Sequence, residues 1–482
     1  MFDICLVYVQ PCAQGRLGTH VFDVVLPPLG LAYLAAVLER QGYTVTIIDA
    51  FAEKLSQQEL LERLRDKYRI VGFYCDTLNY NTILDIANRL KRTHARPHII
   101  IGGPHATALP GESISEHPQI DCAVFGEGEI TIVPLVKRLL EEKSLKDIQG
   151  VAYKENGRIV VNQPRPLIED LDSIPMPAWH LLPIKKYRSL IEAKGKRIMH
   201  IMGSRGCFND CNYCFNAKMW HKKIRLHSAE RIMQEVDYLR SQYAIQFIQF
   251  YDDNFTLDKK RLIILTEQFV QSKVAWSCST RIDLLNEEII QHLKRGHVDH
   301  VCIGIETVND RLLKIINKNI TSDEIKKTIE LCNKYKVKVL GMFIIGIPQE
   351  TEKEALETIS FACNSNIFFA VFSCLTIFPG TNFFQIYKNS SYLSKDYSQY
   401  DLSKNFSFIE KNRSKAELER ILKKAYLKFY TRPAAVYSLA MLMLRNPPQL
   451  LKAIIALLQV FFTLTYDLIC SKEISSKKNC KK

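Results

Sequence analysis

Residues 206–214 read Gly-Cys-Phe-Asn-Asp-Cys-Asn-Tyr-Cys, and this stretch contains the strongest signal in the chain. Three residues separate Cys207 from Cys211, and two separate Cys211 from Cys214. Thiolates at this spacing favour a cubane 4Fe–4S cluster in which one iron is left without a protein ligand. Such an open iron can bind and activate a small molecule, whereas a four-cysteine site is usually a closed electron carrier.

Three other interpretations of these cysteines are weaker. A buried core does not suit three cysteines within eight positions of a loop rich in Gly, Asn and Asp. Zinc with His221 as the fourth ligand would require a spacing that is unusual for structural zinc. A redox dithiol would require a helical active-site context, which this stretch lacks. The open cluster is therefore the favoured interpretation.

Downstream of residue 197, short apolar segments alternate with helical patterns. The predicted strands are 198–203, 247–252, 275–280, 300–305, 339–345 and 370–376. Six strand–helix units predict a partial (β/α)6 barrel of the TIM type. The cysteines would then follow the first barrel strand, on the side where such barrels carry their functional loops.

The first 150 residues show the same alternation. Predicted strands are 4–9, 44–49, 70–74, 98–102 and 122–125, and the helical patterns between and after them are 30–41, 56–67, 82–93 and 129–142. This pattern predicts an α/β, doubly wound (Rossmann-like) domain with a parallel sheet. Ligands of such sheets bind outside the carboxyl ends of the strands.

The remaining segments set the domain organisation. Asn156-Gly157 predicts a hairpin within 150–161, and the prolines that follow predict a stiff linker of low helical content. After residue 392 we expect only helices; the apolar runs 433–444 and 449–469 are either a buried helix pair or a membrane-surface contact. The predicted units are 1–148 (ligand-binding domain), 149–188 (hairpin and linker), 189–395 (barrel core) and 396–482 (helical region with a basic tail).

Composition narrows the class of protein. With 47% hydrophobic and 24% charged residues among 482, the chain is globular rather than disordered. Residues 1–4 contain no charged leader, so we expect no signal peptide, a cytoplasmic location and mostly buried, free thiols among the 14 cysteines. The net charge of +14 also suits a nucleic-acid-binding iron–sulfur protein. That reading ranks low because the aromatic residues lie in strands and apolar helices, and we expect no nucleic-acid partner.

The cysteine spacing, with Tyr213 before the last cysteine, resembles the radical S-adenosylmethionine (SAM) superfamily over residues 197–388. Further motifs occur in the same order: Tyr-Asp-Asp-Asn-Phe at 251–255, Ser-Thr-Arg-Ile-Asp at 279–283, Gly-Ile-Glu-Thr at 304–307, Gly-Met-Phe-Ile-Ile-Gly-Ile-Pro at 341–348 and Phe-Pro-Gly-Thr at 378–381. The resemblance implies that the open iron chelates SAM and that one electron cleaves it to a 5′-deoxyadenosyl radical. It also implies an electron donor such as flavodoxin or ferredoxin.

The same resemblance implies a SAM site. Glu306 would contact the amino group or ribose of SAM, Arg281 would pair with its carboxylate, and the strand containing Gly341 and Gly346 would line the adenine. The alternative for Glu306 is a salt bridge inside the barrel mouth. The alternative for Arg281 is an ion pair with one of the neighbouring carboxylates Asp252, Asp253 and Asp283.

Glycine-rich strand ends make the first domain resemble the cobalamin-binding domain that precedes many radical SAM barrels. The candidate cobalamin-binding residues are Gly30, Gly102, Gly103, Pro104, His105, Gly126, Glu127 and Gly128. No Asp-x-His-x-x-Gly follows the first strand, and His20 and His105 stand in other contexts. The resemblance therefore implies cobalamin with its own base displaced and no histidine below it. The alternative is a doubly wound domain that binds something else.

Over residues 1–388 the resemblance implies a cobalamin-dependent radical SAM enzyme. We expect a methyltransferase that acts on an unactivated carbon or phosphorus of a small-molecule or lipid-like substrate. The alternative is an oxidative cyclase or another radical rearrangement, as in the family of anaerobic magnesium-protoporphyrin monomethyl ester cyclases. Peripheral membrane contact is expected only through the C-terminal apolar runs.

Overall fold

The computed structural model describes residues 2–9, 25–189, 197–401, 406–433 and 435–436. His20, the apolar run 449–469 and the basic tail lie outside these residues, as does most of the run 433–444. Among the described residues, no helix is both long and apolar enough to cross a membrane.

The first sheet has seven strands in the order β2-β1-β3-β4-β5-β6-β7, and its first five are parallel. The strands are β1 (Phe2–Tyr8), β2 (Val45–Asp49), β3 (Tyr68–Tyr74), β4 (His98–Gly102), β5 (Cys122–Val124), β6 (Val151–Glu155) and β7 (Arg158–Val161). The helices are α1 (Leu29–Arg40), α2 (Gln57–Leu64), α3 (Tyr80–Leu90), α4 (Pro104–Ala108), α5 (Glu112–Ser115) and α6 (Ile132–Leu140).

Helices cover both faces of this sheet, which confirms the doubly wound prediction. The apolar sides of α1 and α6 belong to one core and those of α2 and α3 to another, with the sheet between them. Central strands buried on both faces consist of near-continuous apolar residues, and Cys5 to Val7 of β1 are no more than 2% exposed.

The hairpin differs from its predicted place. Asn156 and Gly157 adopt the left-handed backbone that a two-residue turn requires, with φ of +52° and +76°. However, β6 pairs antiparallel with β5, so the hairpin extends the first sheet and does not form part of a separate linker.

The segment that follows has little helix, as predicted, but it is not an exposed spacer. Its regular structure consists of short 3-10 turns at Leu171–Ser173, Trp179–Leu181 and Ile184–Lys186. Leu171 and Trp179 are fully buried, in the same core as α1 and the second domain. The linker therefore joins the two domains through apolar contact as well as through its covalent connection.

The second sheet contains six parallel strands in the order β15-β14-β13-β12-β11-β8, which confirms the partial barrel. A separate ribbon pairs β9 with β10. The strands are β8 (Ile198–Ile201), β9 (Ser204–Arg205), β10 (Arg225–Leu226), β11 (Phe247–Phe250), β12 (Ala275–Thr280), β13 (Val298–Glu306), β14 (Lys338–Ile345) and β15 (Phe369–Cys374).

Helices cover the outer face of the barrel strands. The helices of this domain are α7 (Asn216–Met219), α8 (Ala229–Tyr243), α9 (Lys259–Ser272), α10 (Glu287–Arg295), α11 (Asp310–Ile315), α12 (Ser322–Lys334), α13 (Glu352–Asn364), α14 (Asn382–Tyr387) and α15 (Lys415–Tyr430), of which α7 and α14 lie by the cysteine loop. Trp276 on β12 illustrates the packing: it is fully buried, stacks on Phe269 of α9 at 5.1 Å and donates a hydrogen bond to the Gly296 carbonyl.

The region after residue 392 is less regular than predicted. Leu393 and Phe408 form an isolated antiparallel bridge, and the regular structure described between them is one short 3-10 turn. The long helix α15 then packs against β15 and α13. The described part of the C-terminal region thus closes the last edge of the partial barrel.

Candidate active site

The three cysteines lie on the loop between β9 and α7, at the mouth of the partial barrel. Gly206 starts this loop with φ of +106°, and a side chain there would overlap the Lys223 carbonyl. The start of the loop at Gly206 therefore packs directly against its end at Lys223, where β9 and β10 pair. Cys211 is buried, whereas Cys207 and Cys214 are partly exposed.

Nitrogen donors surround the sulfurs. The Asn254 amide donates to Cys207 Sγ at 3.1 Å, and Arg281 Nη1 donates to Cys211 Sγ at 3.6 Å. Burial raises the pKa of Cys214 to about 12, and it also raises the pKa of Cys211, where Lys318 and Arg281 act in the opposite direction. Three thiols with N–H donors and cations around them suit an iron–sulfur cluster, since hydrogen bonds to the sulfurs tune such clusters.

The zinc alternative gains no support from the geometry. In the described part of the chain, no three His, Cys, Asp or Glu side chains are grouped so that they could hold one metal ion. His221 is exposed. A cubane cluster does not require such a group, because each thiolate binds a different iron.

Glu306 ends β13 and lies inside the mouth. Its φ is +64°, and the sheet register shifts between Gly304 and Glu306, which turns the carboxylate back over the strand. Lys318 Nζ lies 2.8 Å from Glu306 Oε1, and the Tyr213 hydroxyl donates to the same oxygen at 2.9 Å. A Cβ at Gly304 would lie 2.5 Å from this carboxylate oxygen, so only glycine leaves room for the pair. The salt bridge considered for Glu306 is therefore present.

Arg281 links the cysteine loop to the strand ends. It pairs with Asp283 at 2.9 Å, and its Nη2 donates to the Lys318 carbonyl at 2.6 Å. Of the three carboxylates considered as partners, Asp283 is the one that binds. Asp252 instead accepts from Gly203 N–H and the Ser204 hydroxyl, at the base of the loop.

Gly341 in β14 and Gly346, which directly follows β14, both pack against side chains of the protein. The space beside Gly341 is occupied by Phe343, whose ring would lie 2.9 Å from an added Cβ. Gly346 has φ of +89° and packs against Phe406, and its N–H donates to Glu350 at 2.7 Å. Their contact with SAM stays a prediction.

The predicted cobalamin residues meet at the carboxyl edge of the first sheet. Gly103 follows β4 with φ of +123°, and a Cβ there would lie 2.8 Å from the Cys75 carbonyl after β3. Gly126 N–H donates to Thr107 of α4, which joins the loops after β4 and β5. Gly128 packs against Leu34, which lies one turn after Gly30 on α1. No atom lies within 4 Å of a Cβ added at Gly30. These glycines therefore lie near one edge of the sheet, and their contact with cobalamin stays a prediction.

The side chain of His105 is held by a hydrogen bond to its ring and by two aromatic neighbours. Its Nδ1 lies 3.1 Å from the Thr77 hydroxyl, and its ring packs against Tyr80 and Tyr397 with centroids 4.3 and 5.1 Å apart. Burial lowers the pKa of His105 to about 4. The side chain is thus a neutral member of a packed aromatic group.

Glu127 faces the barrel. Its carboxylate accepts from Arg205 at 2.7 Å, from Arg225 at 2.6 Å and from Ile168 N–H at 2.7 Å. That Glu127 contributes to cobalamin binding stays a prediction, and such a contribution would come from its backbone because both carboxylate oxygens are engaged.

The carboxyl edges of the two sheets meet where α4, which follows β4, packs against α7, and a Cβ at Gly380 after β15 would lie 3.0 Å from the side chain of Ala108. Tyr8 and Tyr74, at the ends of β1 and β3, pack with centroids 5.5 Å apart. Burial is the main cause that raises the pKa of Tyr251, which follows β11 of the barrel, and the nearby Tyr8 and Tyr74 raise it further. The side chain of Tyr251 is 38% exposed. The ring of His200 packs against it at 5.1 Å.

Comparison with known proteins identifies the two domains. A profile of the radical SAM superfamily matches residues 201–362, and one of the B12 binding domain matches residues 15–136. An uncharacterised methyltransferase of Pyrococcus horikoshii is 35% identical over 433 residues, which are 89% of this chain and 93% of that relative. The chain belongs to the radical SAM superfamily.

Membership defines the cofactors and the class of reaction. The chain is an enzyme of the cobalamin-dependent radical SAM methyltransferase family, with a 4Fe–4S cluster, SAM and cobalamin as its cofactors. Such an enzyme takes a small-molecule substrate and a reductant. The anaerobic magnesium-protoporphyrin IX monomethyl ester cyclase of Cereibacter sphaeroides also matches, with 28% identity over 386 residues, or 78% of this chain and 62% of that relative.

A solved structure shares the fold of this radical SAM chain. It is the radical SAM methyltransferase TsrM from Kitasatospora setae, with cobalamin and a [4Fe-4S] cluster bound. The TM-score is 0.67 and the identity 16%, over 90% of each chain. At this identity the likeness supports the two-domain architecture.

Sequence reasoning missed several residues of the mouth. Lys318, which binds Glu306, belongs to no motif, although it follows Glu306 by 12 positions on the next loop. Asn254 was part of a quoted motif but had no assigned role. Glu350 follows the Gly-Ile-Pro turn, and its burial beside Gly346 has no local signal. Contacts of this kind depend on which loops meet in space.

Glu350 should make stability depend on pH. Burial raises its pKa to about 7, against the opposing Gly346 N–H and Arg413. Because the pKa is raised in the folded protein, Glu350 makes its full contribution to the free energy of unfolding below the unfolded pKa of about 4.3. This contribution is lost as the pH rises through 7. Glu350→Gln keeps an acceptor for Gly346 N–H. Relative to wild type, we expect it to gain about 1–3 kcal/mol of unfolding free energy between about pH 5 and pH 8.

Urea unfolding of both proteins at both pH values measures this gain. The exposed Glu352, paired with Arg420, supplies the control, since its pKa is lowered and Glu352→Gln should show no gain. A difference between Glu350→Gln and wild type that does not change with pH would contradict the assignment.

Cobalamin should bind without a histidine ligand, because His105 is already engaged with Thr77 and Tyr80. We expect the full chain loaded with hydroxocobalamin to show a base-off absorption spectrum. Electron paramagnetic resonance of the cob(II)alamin form should show no nitrogen splitting, and His105→Gln should leave this feature unchanged. A nitrogen splitting that disappears in His105→Gln would make His105 the lower ligand.

Proposed function

We propose that this enzyme methylates an unactivated carbon or phosphorus of a small-molecule or lipid-like substrate in the space between its two domains. The observation that carries the proposal is the contact between the two carboxyl edges, where α4 packs against α7 and Ala108 of α4 lies beside Gly380, which follows β15. Ligands of both folds bind at this edge. A substrate there would lie within reach of both the cluster loop and the glycine-rich loops.

The cluster is assigned to Cys207, Cys211 and Cys214. Support comes from their position on the loop after the first barrel strand and from the donors Asn254 and Arg281 at the sulfurs. When bound, the cluster and SAM supply one-electron cleavage of SAM, and cobalamin supplies a transferable methyl group. The protein supplies orientation and the exclusion of water.

SAM is assigned to the mouth between the cysteine loop and Glu306. Lys318 and Tyr213 hold the Glu306 carboxylate in place, and Arg281 stands between Cys211 and Asp283. A carboxylate and a guanidinium so close to the cysteines suit the amino and carboxylate groups of an amino acid. Gly341 and Gly346 are assigned to the same site through their backbone.

Cobalamin is assigned to the carboxyl edge of the first sheet. The residues assigned to it are Gly30, Gly102, Gly103, Pro104, His105, Gly126, Glu127 and Gly128. Positive φ at Gly103 and Gly126 leaves their backbones free of side chains where a large flat ligand would approach.

A cyclase-like reaction is the second candidate. It is favoured by the similarity to the cyclase of Cereibacter sphaeroides, of which this chain spans 62%. Flavodoxin or ferredoxin is proposed as the electron donor in either case. Peripheral membrane contact through 433–482 is proposed for a lipid-like substrate.

The cluster assignment predicts which cysteines hold iron. Anaerobically reconstituted wild type should hold about four irons per chain. Changing Cys207, Cys211 and Cys214 together to Ala should remove the iron, the visible absorption and the cleavage of SAM. Cys332→Ala on α12 and Cys278→Ala on β12 are the controls, because both thiols are buried in the core. Iron retained in the triple variant would place the cluster elsewhere.

The reaction type predicts how SAM is consumed. With its substrate, each turnover should use about two SAM molecules, giving 5′-deoxyadenosine from one and S-adenosylhomocysteine from the other. Methyl-deuterated SAM should label the product, as mass spectrometry would show. An unlabelled, oxidised or cyclised product formed without S-adenosylhomocysteine would reject methyl transfer and favour the cyclase-like reaction.

A further inference from the structure

Both ends of the cysteine loop are fastened to the B12-binding domain by one buried ion network. Arg205 precedes Gly206 on β9, and Arg225 lies opposite it on β10. Glu127 binds both arginines, and Glu129 binds Arg205 Nη2 at 2.6 Å. The four side chains are between 2% and 8% exposed.

The carboxylates of this network belong to the loop after β5, which also contains Gly126 and Gly128. Gly126 N–H donates to Thr107 of α4, the helix that begins after Gly103. On the other side, the guanidinium of Arg205 lies 5.3 Å from the ring of Tyr33 on α1. Leu34 of α1 also packs against Gly128, so both α1 and α4 touch a residue next to Glu127.

A second contact joins the same parts. Helix α4 packs against α7, which directly follows Cys214. The cysteine loop is thus held at its start, at its return and just after its last cysteine, each time against a segment of the first domain. A change in the loops of the first domain must then be felt at the cysteines, because close-packed contacts transmit displacement.

We propose that Glu127 and Glu129 are positioning residues that couple occupancy of the cobalamin site to the geometry of the cluster loop. Cobalamin bound against the loop after β5 restricts that loop, and the ion network passes the restriction to residues 206–223. The enzyme would then hold its cluster in its final position only when the methyl carrier is present. This inference rests on the proposed assignments of the cluster to Cys207, Cys211 and Cys214 and of cobalamin to the loop after β5.

The network suits this role better than a purely stabilising one. Buried ion pairs contribute little net stability compared with apolar residues of the same shape, because their desolvation offsets the attraction. Their geometry, by contrast, is strict, since each guanidinium binds a carboxylate in a fixed direction. Arg225 also donates to the Ile168 carbonyl, so the linker takes part in the same alignment.

Hydrogen exchange on the full, cluster-reconstituted chain tests the proposal. Amide exchange of residues 206–223 is compared with and without hydroxocobalamin in wild type, Glu127→Gln, Glu129→Gln and Glu235→Gln. Glu235 is the matched control: it is buried and paired with Arg231 at 3.2 Å, but both residues belong to α8 of the barrel. Iron content, SAM cleavage and cobalamin binding are measured on the same samples.

In wild type and Glu235→Gln, cobalamin should slow exchange in 206–223 by roughly fivefold or more, the usual size of coupling between sites. The slowing should be smaller in Glu129→Gln, which should still bind cobalamin because Glu129 is not among the residues assigned to it. In Glu127→Gln the slowing should be absent even at cobalamin concentrations that saturate the site. Cobalamin should also change the electron paramagnetic resonance signal of the reduced cluster in wild type and not in Glu127→Gln. If Glu127→Gln does not yield folded protein, Glu129→Gln decides.

Two results would overturn the proposal. One is a wild type that holds iron, cleaves SAM and binds cobalamin without any change in exchange at 206–223; this leaves the proposed function intact. The other is equal slowing in wild type, Glu127→Gln and Glu129→Gln, which would show that cobalamin covers the loop directly. Wild type without iron would instead reject the cluster assignment, and this inference with it.

Discussion

The contact between Glu127 and two arginines determines how the parts of this molecule are arranged. Arg205 and Arg225 stand at the two ends of the cysteine loop, and the carboxylate that binds them comes from the other domain. Removing one member of a buried ion network typically costs about 3–5 kcal/mol, because the remaining charges lose their partner in a medium of low polarity. The two domains and the loop are therefore held in one arrangement.

Apolar packing completes this arrangement. The linker contributes Leu171 and Trp179 to a core that is continuous from α1 to the barrel strands. Because the first domain binds both ends of the cysteine loop, the carboxyl edges of the two sheets lie next to each other. At that contact Ala108 of α4 lies beside Gly380, which follows β15 of the barrel.

The mouth of the barrel has its own local constraint. Glu306 adopts a left-handed backbone that costs a residue other than glycine about 1–3 kcal/mol. The contacts of its carboxylate with Lys318 and Tyr213 offset this cost. Gly304 leaves the space that the carboxylate occupies. Strain of this kind is found where a functional group must point in one direction, which agrees with the place of Glu306 beside the cysteines.

The sequence by itself determined the elements and their type. Alternation of strand and helix patterns identified both parallel sheets, and every strand that was predicted overlaps an observed one, because burial on both faces imposes long apolar runs. The cysteine spacing was equally local, since three ligands on one short loop need no distant partner. The glycines at the ends of β4 and β5 were recognisable because their backbone conformations exclude other residues.

Only the tertiary structure decided which of these elements meet. The hairpin joined the first sheet because its partner strand β5 lies earlier in the chain, and nothing in residues 150–161 specifies that partner. Glu127 was grouped with the cobalamin residues, yet its carboxylate binds Arg205, 78 positions away. Lys318 and Glu350 had no motif at all. Ion pairs and close contacts between distant segments depend on the relative placement of whole domains, and periodicity and spacing do not encode that placement.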